Sequence, residues 1–305
     1  MLKIFDPTDL PKYLLAGNAV GNNYACSPTV TDTSRICLLS LLIDSINNLF
    51  KSTGPRSMFN TEDLSLLTAW PIVNHRNWEL SRLFVSPYHL ENLPLLISFL
   101  AKELSKLGAN RIFIRIKESA DFGKLLIQSG FKLSHREFLY EGLPLKQRIL
   151  NTQIKEKSEA DDLAIYRLYN KATPVKIRSM SCPTLADWKD LNGQYKNVAT
   201  EYTIIEDSNA MAYIKNYKSN RTQIVTLITH PEYNYNIVKH LLQFSLSILT
   251  DIDKVKVYIP DFQVSTQKAA LEINLFKCAS YNIYILPITA SQKLAVEEPA
   301  IGFVT

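Results

Sequence analysis

Apolar residues recur at helical spacing at Leu93, Leu96, Leu100, Leu104 and Leu107, and again at Val238, Leu241, Leu242, Leu246 and Leu249. Each set marks one buried face of a helix. An alternating segment follows each helix: Ile112, Ile114 and Ile116 in one case, Val255, Val257 and Ile259 in the other. Period-two alternation is the mark of a half-buried strand. A β-rich stretch and a turn precede each helix, SRLFVSPYH around Pro87 and VTLITHPEY around Pro231, 144 residues apart. A second helix and a further strand close each series, at SGFKLSHREFLYE and at NLFKCASYNIYIL, here at an offset of 145. Matching order at a nearly constant offset predicts a duplicated unit. The competing account is two unrelated copies of a common β-α-β arrangement.

Upstream of each unit the sequence is strand-like. In the second half, EYTIIED (Glu201 to Asp207), AMAYIKNY (Ala210 to Tyr217) and RTQIVTLI (Arg221 to Ile228) are β-rich runs parted by turn residues. They predict an antiparallel meander. In the first half the corresponding region, about Met58 to Val85, is less regular, with a strand expected at Asn77 to Val85. Helices are expected at Arg35 to Phe50 and at Glu159 to Ala172, the second opening with acidic residues in its first turn. The pattern becomes polar and aperiodic from Pro144 to Lys157, which predicts two domains, 1–150 and 151–305. The expected class is mixed α/β, with each domain a mainly antiparallel sheet flanked by helices.

Composition narrows the function classes. The chain has 305 residues, is 46% hydrophobic and holds 9 Gly against 13 Phe and 15 Tyr, which suits a packed core rather than disorder. Net charge is +5, but the 34 basic residues are spread along the chain, so nucleic acid is not expected as a partner. Cys26, Cys37, Cys182 and Cys278 form no C-x-x-C pair and have no histidine at ligand spacing, so no metal is expected. The N-terminus carries acidic residues and prolines where a signal peptide would be apolar, and the run Ile36 to Ile43 stops at Asp44, too short to span a membrane. A cytoplasmic location and reduced thiols follow as expectations. There is no nucleophile-elbow or P-loop sequence.

The order helix, three-strand meander, turn, helix, strand, helix, strand, taken twice, resembles the GNAT (Gcn-five-related N-acetyltransferase) fold. The resemblance rests on LFVSP with its amphipathic helix, on Ser129-Gly130-Phe131 with the strand after it, and on LITHPEY. It implies a tandem GNAT protein that binds acetyl-CoA or another acyl-CoA and acylates an amine. In that family the turn after the fourth strand reads Arg or Gln, two residues, Gly, one residue, Gly or Ala, and its amides cradle a pyrophosphate. Here those small positions fall on Leu93 and Leu95, with Pro94 between, and on Ile237 and Lys239 in the second half. Both halves also lack the tyrosine that serves the family as general acid for the departing thiolate, whose place counts to Leu126 and Leu271.

The resemblance nonetheless points to candidate residues. Strand backbone at Phe84 and Val85, with the turn at Leu93, Pro94 and Leu95, would meet the cofactor in the first half. Ile228, Thr229 and Lys239 would do so in the second, although Lys239 also reads as a surface lysine. Glu79 is the candidate general base, or else a solvent-facing strand residue opposite Arg82 or a neighbour. The second half offers only Gln223 and Thr226 near that place. Two functions stay open: an acyl-CoA-dependent N-acyltransferase, or a catalytically inactive GNAT-fold module for a small molecule or protein partner.

Overall fold

The computed structural model describes residues 2–5, 7–9, 23–26, 54–118, 122–145, 147, 149, 153–193 and 199–288. The helix expected at Arg35 to Phe50 and the C-terminal tail lie outside them. The class is mixed α/β, with twelve strands among the described residues. The strands are β1 (Leu2–Ile4), β2 (Arg56–Asn60), β3 (Leu66–Pro71), β4 (Asn77–Phe84), β5 (Arg111–Lys117), β6 (Lys132–Gly142), β7 (Lys155–Glu156), β8 (Ala199–Glu206), β9 (Asn209–Ser219), β10 (Thr222–Thr229), β11 (Lys254–Pro260) and β12 (Phe276–Pro287). The α-helices are α1 (Leu93–Lys106), α2 (Phe122–Gln128), α3 (Asp162–Ala172), α4 (Val175–Ser181), α5 (Leu185–Asn192), α6 (Tyr235–Leu246) and α7 (Val264–Glu272).

Two compact units make up the chain: Met1–Leu133 with Tyr284–Thr305, and Ser134–Ile283. Unit 1 orders its strands β1-β2-β3-β4-β5-β12, and unit 2 orders them β6-β11-β10-β9-β8-β7. Each unit thus receives a strand from the other half of the sequence. The end of β12 enters unit 1, where Tyr284, Leu286 and Ile288 join the core and the Ile288 amide donates to the Asn110 carbonyl at 2.8 Å. Most of β6 enters unit 2, pairing antiparallel with β11 from Val255↔Gly142 to Pro260↔Glu137.

In unit 1 the apolar stripe of α1, with Leu93, Leu96, Ile97, Leu100 and Leu104 all buried, packs on Met58, Leu67, Trp78, Leu80, Leu83 and the isoleucines of β5. Burying each such side chain contributes about 1.5–3 kcal/mol. In unit 2 the stripe of α6, Val238, Leu241, Leu242 and Leu246, covers Ile214, Val225, Leu227, Val255 and Val257. The other face of that sheet packs Ile165 and Leu168 of α3 and Trp188 of α5 against Tyr213. Helices α4 and α5 fill a stretch to which the sequence pattern assigned no element. A capping box at the start of the α3 region is formed by Ser158 and Asp161.

Candidate functional site

In each unit two neighbouring parallel strands, β4 and β5 in unit 1 and β10 and β11 in unit 2, pair for part of their length and then part. In unit 1, β4 and β5 pair only at Asn77↔Arg111, Trp78↔Ile112 and Glu79↔Phe113, and beyond that point both strands run on separately. A β-bulge at Ser81 accompanies the parting. On the β3 side, Ala69 faces Leu80 and Thr68 faces Arg82, so Ser81 is an extra residue in β4. Bulges bend a strand and increase its twist. This one also moves the apolar alternation by one position, so that Trp78, Leu80, Leu83 and Val85 all join the core under α1.

The fork of unit 1 is occupied by the chain itself. The segment Asn23–Cys26 forms antiparallel bridges to both arms, Asn23↔Phe84 and Ala25↔Ile116. The Tyr24 amide donates to the Leu83 carbonyl at 2.9 Å, and the Cys26 amide donates to the Arg115 carbonyl at 2.8 Å. The Asn23 side-chain carbonyl accepts from the amides of Leu83 (3.0 Å) and Ala25 (3.2 Å). The Tyr24 ring lies 3.6 Å from that of Phe122 between centroids, and burial pushes its hydroxyl pKa up. Nothing in NNYAC announced this. The run from Asn22 to Cys26 is too short to show a period, and the bulge at Ser81 leaves no glycine signature.

Glu79 sits at the crotch of this fork, half-buried and opposite Trp70 on β3, while Arg82 faces Thr68. The two charged residues are therefore neighbours along one strand rather than partners across two. Phe84 is buried among Phe5, Phe59 and Leu66, and Val85 lies in the core under α1. In the turn, Ser86 caps the amide of Tyr88. The Leu93 amide donates to the Leu90 carbonyl, and Pro94 has no amide hydrogen to offer. The Leu93 side chain is buried and that of Leu95 is exposed.

Unit 2 has its own fork. Strands β10 and β11 pair from Thr222↔Lys254 to Thr226↔Tyr258, after which β10 continues through Leu227, Ile228 and Thr229. Its register with β9 runs without a bulge. Among the described residues no β-bridge spans this fork. The turn leads into α6, where the Asn234 side chain accepts from the Asn236 amide at 2.9 Å and the Asn234 carbonyl accepts from Ile237 at 2.9 Å. Tyr233 in this turn donates to Glu206 at 3.2 Å, and burial beside that carboxylate pushes its pKa up to about 12. Lys239 pairs with Glu272 at 3.2 Å. Gln223 is fully buried, donating to Asn216 and to the Ser245 carbonyl.

The last helix of each half ends in the same way. Gly130 (φ 92°) and Asn274 (φ 62°) occupy the left-handed position, with 6→1 bonds from Phe131 to Leu126 and from Leu275 to Ala270. The structural offset is 144, so Gly130 matches Asn274 rather than Leu275. Counting back four residues from Asn274, the place where the resemblance leads one to look for a tyrosine in unit 2 is Ala270 rather than Leu271. It is Leu126 in unit 1, and both are buried.

Among the described residues no group of three or more His, Cys, Asp or Glu could hold a metal, and no helix is long and apolar enough to cross a membrane. No family profile matches the chain, and no curated protein matches it. Solved structures do. A GCN5-related N-acetyltransferase from Sphaerobacter thermophilus aligns with a TM-score of 0.56 at 12% identity, over 94% of this chain and 95% of its own. A tandem GNAT protein from the clavulanic acid biosynthesis pathway aligns with a TM-score of 0.53 at 9% identity, over 95% and 98%. A conserved protein of Staphylococcus epidermidis aligns with a TM-score of 0.50 at 9% identity, over 69% and 84%. At such identities the likeness is one of fold, and over nearly its whole length this chain has the fold of the tandem GNAT proteins.

Proposed function

We propose that the protein is an acyl-CoA-dependent N-acyltransferase of GNAT type whose donor slot lies in unit 2, with unit 1 as a non-catalytic half. The carrying observation is the contrast between the forks: Asn23–Cys26 bridges β4 to β5, while no described residue bridges β10 to β11. The pantetheine arm is an extended chain of amides, and the main chain of Ile228 and Thr229 offers it a strand-like partner. Lys239 stands in the first turns of α6 and would meet a phosphate only by leaving Glu272. The acceptor is a small amine. Glu79 as general base belongs to the bridged fork, so this reading does not use it.

A second reading, a GNAT-fold module that binds no acyl-CoA, draws on the amides at the starts of α1 and α6. Those of Leu93, Asn236 and Ile237 already have acceptors within the chain, and Pro94 has none to give. Helix-terminus anion sites depend on such donors being free.

Thermal unfolding and hydrogen exchange decide between them. Millimolar acetyl-CoA is expected to raise the melting temperature by a few degrees, as a ligand at about 100 times its Kd stabilises by roughly 2.7 kcal/mol. Adenosine diphosphate alone should raise it less. Exchange should slow from Leu227 to Tyr235 and stay unchanged from Leu83 to Leu93. Absence of any shift or protection would leave the non-catalytic module, and protection confined to unit 1 would overturn the choice of half.

A further inference from the structure

We infer that the fork of unit 1 is a peptide-binding slot, filled in cis by Asn23–Cys26. The ligand class is read from the occupant: an extended peptide with Asn at the first position, an aromatic residue at the second and a small residue at the third.

The geometry specifies each position. Where β4 and β5 part, the amide and carbonyl of Leu83 lose any partner on β5, and Leu83 is fully buried. Buried main-chain groups are nearly always paired. The segment supplies both partners at once, since Tyr24 donates to the Leu83 carbonyl and the Asn23 side chain accepts from the Leu83 amide. It then crosses to the other arm, where Cys26 donates to Arg115. Such addition of an extended chain to open strand edges is a general mode of peptide recognition.

Side-chain contacts add selectivity to this main-chain pairing. Asn23 is needed for its carbonyl oxygen, which serves two amides. The Tyr24 ring packs against that of Phe122, tilted by 37°. Ala25 is 4% exposed within the core cluster, a place that admits no larger side chain without displacing its neighbours. The slot is therefore a built site with a sequence preference, and it differs from a gap covered by chance. The inference stands whether or not unit 2 binds acyl-CoA, because its readout is confined to unit 1 and uses no cofactor.

The test uses two full-length variants and a synthetic peptide of residues 21–28, GNNYACSP. Tyr24→Pro removes the donor to Leu83. Asn23→Ala removes only the side-chain acceptor and keeps the chain foldable should the proline variant not fold. Amide exchange at Leu83, followed site by site, is the signal. The expected result is exchange at least tenfold faster in either folded variant, restored by the peptide in trans, with an Ala25→Trp version of the peptide failing to restore it. Wild-type protein should take up no peptide. Unchanged Leu83 exchange in a folded Asn23→Ala variant would overturn the assignment. So would accelerated exchange that the peptide does not reverse, since the segment would then be a tethered contact and not a ligand.

Discussion

Lys215 is a charged residue that the fold places inside. In AMAYIKNY it reads as a polar residue in an alternating strand, yet both faces of β9 are covered, one by α6 and the other by α3 and α5. Only 5% of the residue is exposed. Its ammonium group donates to the Asn192 carbonyl at the end of α5 and lies 3.8 Å from Glu201, which also pairs with Lys157 at 3.7 Å. Burial lowers its pKa to about 8, with Lys157 adding to the fall and Glu201 opposing it. A lysine whose pKa is depressed by folding is more easily charged in the unfolded chain. Its contribution to stability is full above the unfolded value near 10.5 and is lost as pH falls through 8. Denaturant midpoints should therefore rise from pH 8 towards 10, by up to about 3 kcal/mol in stability from this group. Tyr213, Tyr169 and Tyr233, whose pKa values burial raises, work in the opposite direction above pH 10 and close the window. In Lys215→Met the slope between pH 8 and 10 should flatten, and an unaltered slope would remove Lys215 as its cause.

At the scale of elements, what a period reveals and what it hides are both visible. The stripes of α1 and α6 and the alternation in β5 and β11 were legible because one-sided burial imposes a spacing on apolar residues. The hairpin joining β8 to β9 was legible as a turn, although its two positive-φ residues are Asp207 and Ser208, so Ser208 takes a place glycine usually holds. The bulge at Ser81 was not legible, because one extra residue alters which face a side chain takes without altering composition. The end of the last helix shows the same difficulty. Sequence likeness set Leu275 beside Gly130, whereas the backbone sets Asn274 there, because a left-handed φ is a property of position and Asn tolerates it. Asn274→Gly should leave stability equal or higher by a few tenths of a kcal/mol, while Asn274→Ala should lower it by about 1–2 kcal/mol. Urea unfolding of the two variants measures this directly. Equal losses in both would mean that the Asn side chain, and not the backbone angle, holds the helix end.

At the scale of the molecule, the sequence pattern shows two halves in series, and the contacts show two units that each need both halves. The polar stretch from Pro144 to Lys157 looks like a linker because the chain between β6 and α3 has no apolar period. The contacts divide the units at Ser134 and Tyr284 instead, so a cut near residue 150 is expected to leave neither unit whole. A fragment of residues 1–150 would lack Tyr284, Leu286 and Ile288, all buried in the core of unit 1. At about 1.5–3 kcal/mol each for full burial, their loss is comparable with the whole stability of a typical domain, about 5–15 kcal/mol. A fragment of residues 151–305 would lack β6 and leave β11 as an open edge along the stretch where six residue pairs now run from Val255↔Gly142 to Pro260↔Glu137. Open apolar edges favour aggregation. Each fragment expressed alone should show no cooperative unfolding transition, and the two expressed together should recover one near that of the intact chain. Cooperative unfolding of either fragment by itself would show that the borrowed strand is an accessory to a unit that folds without it.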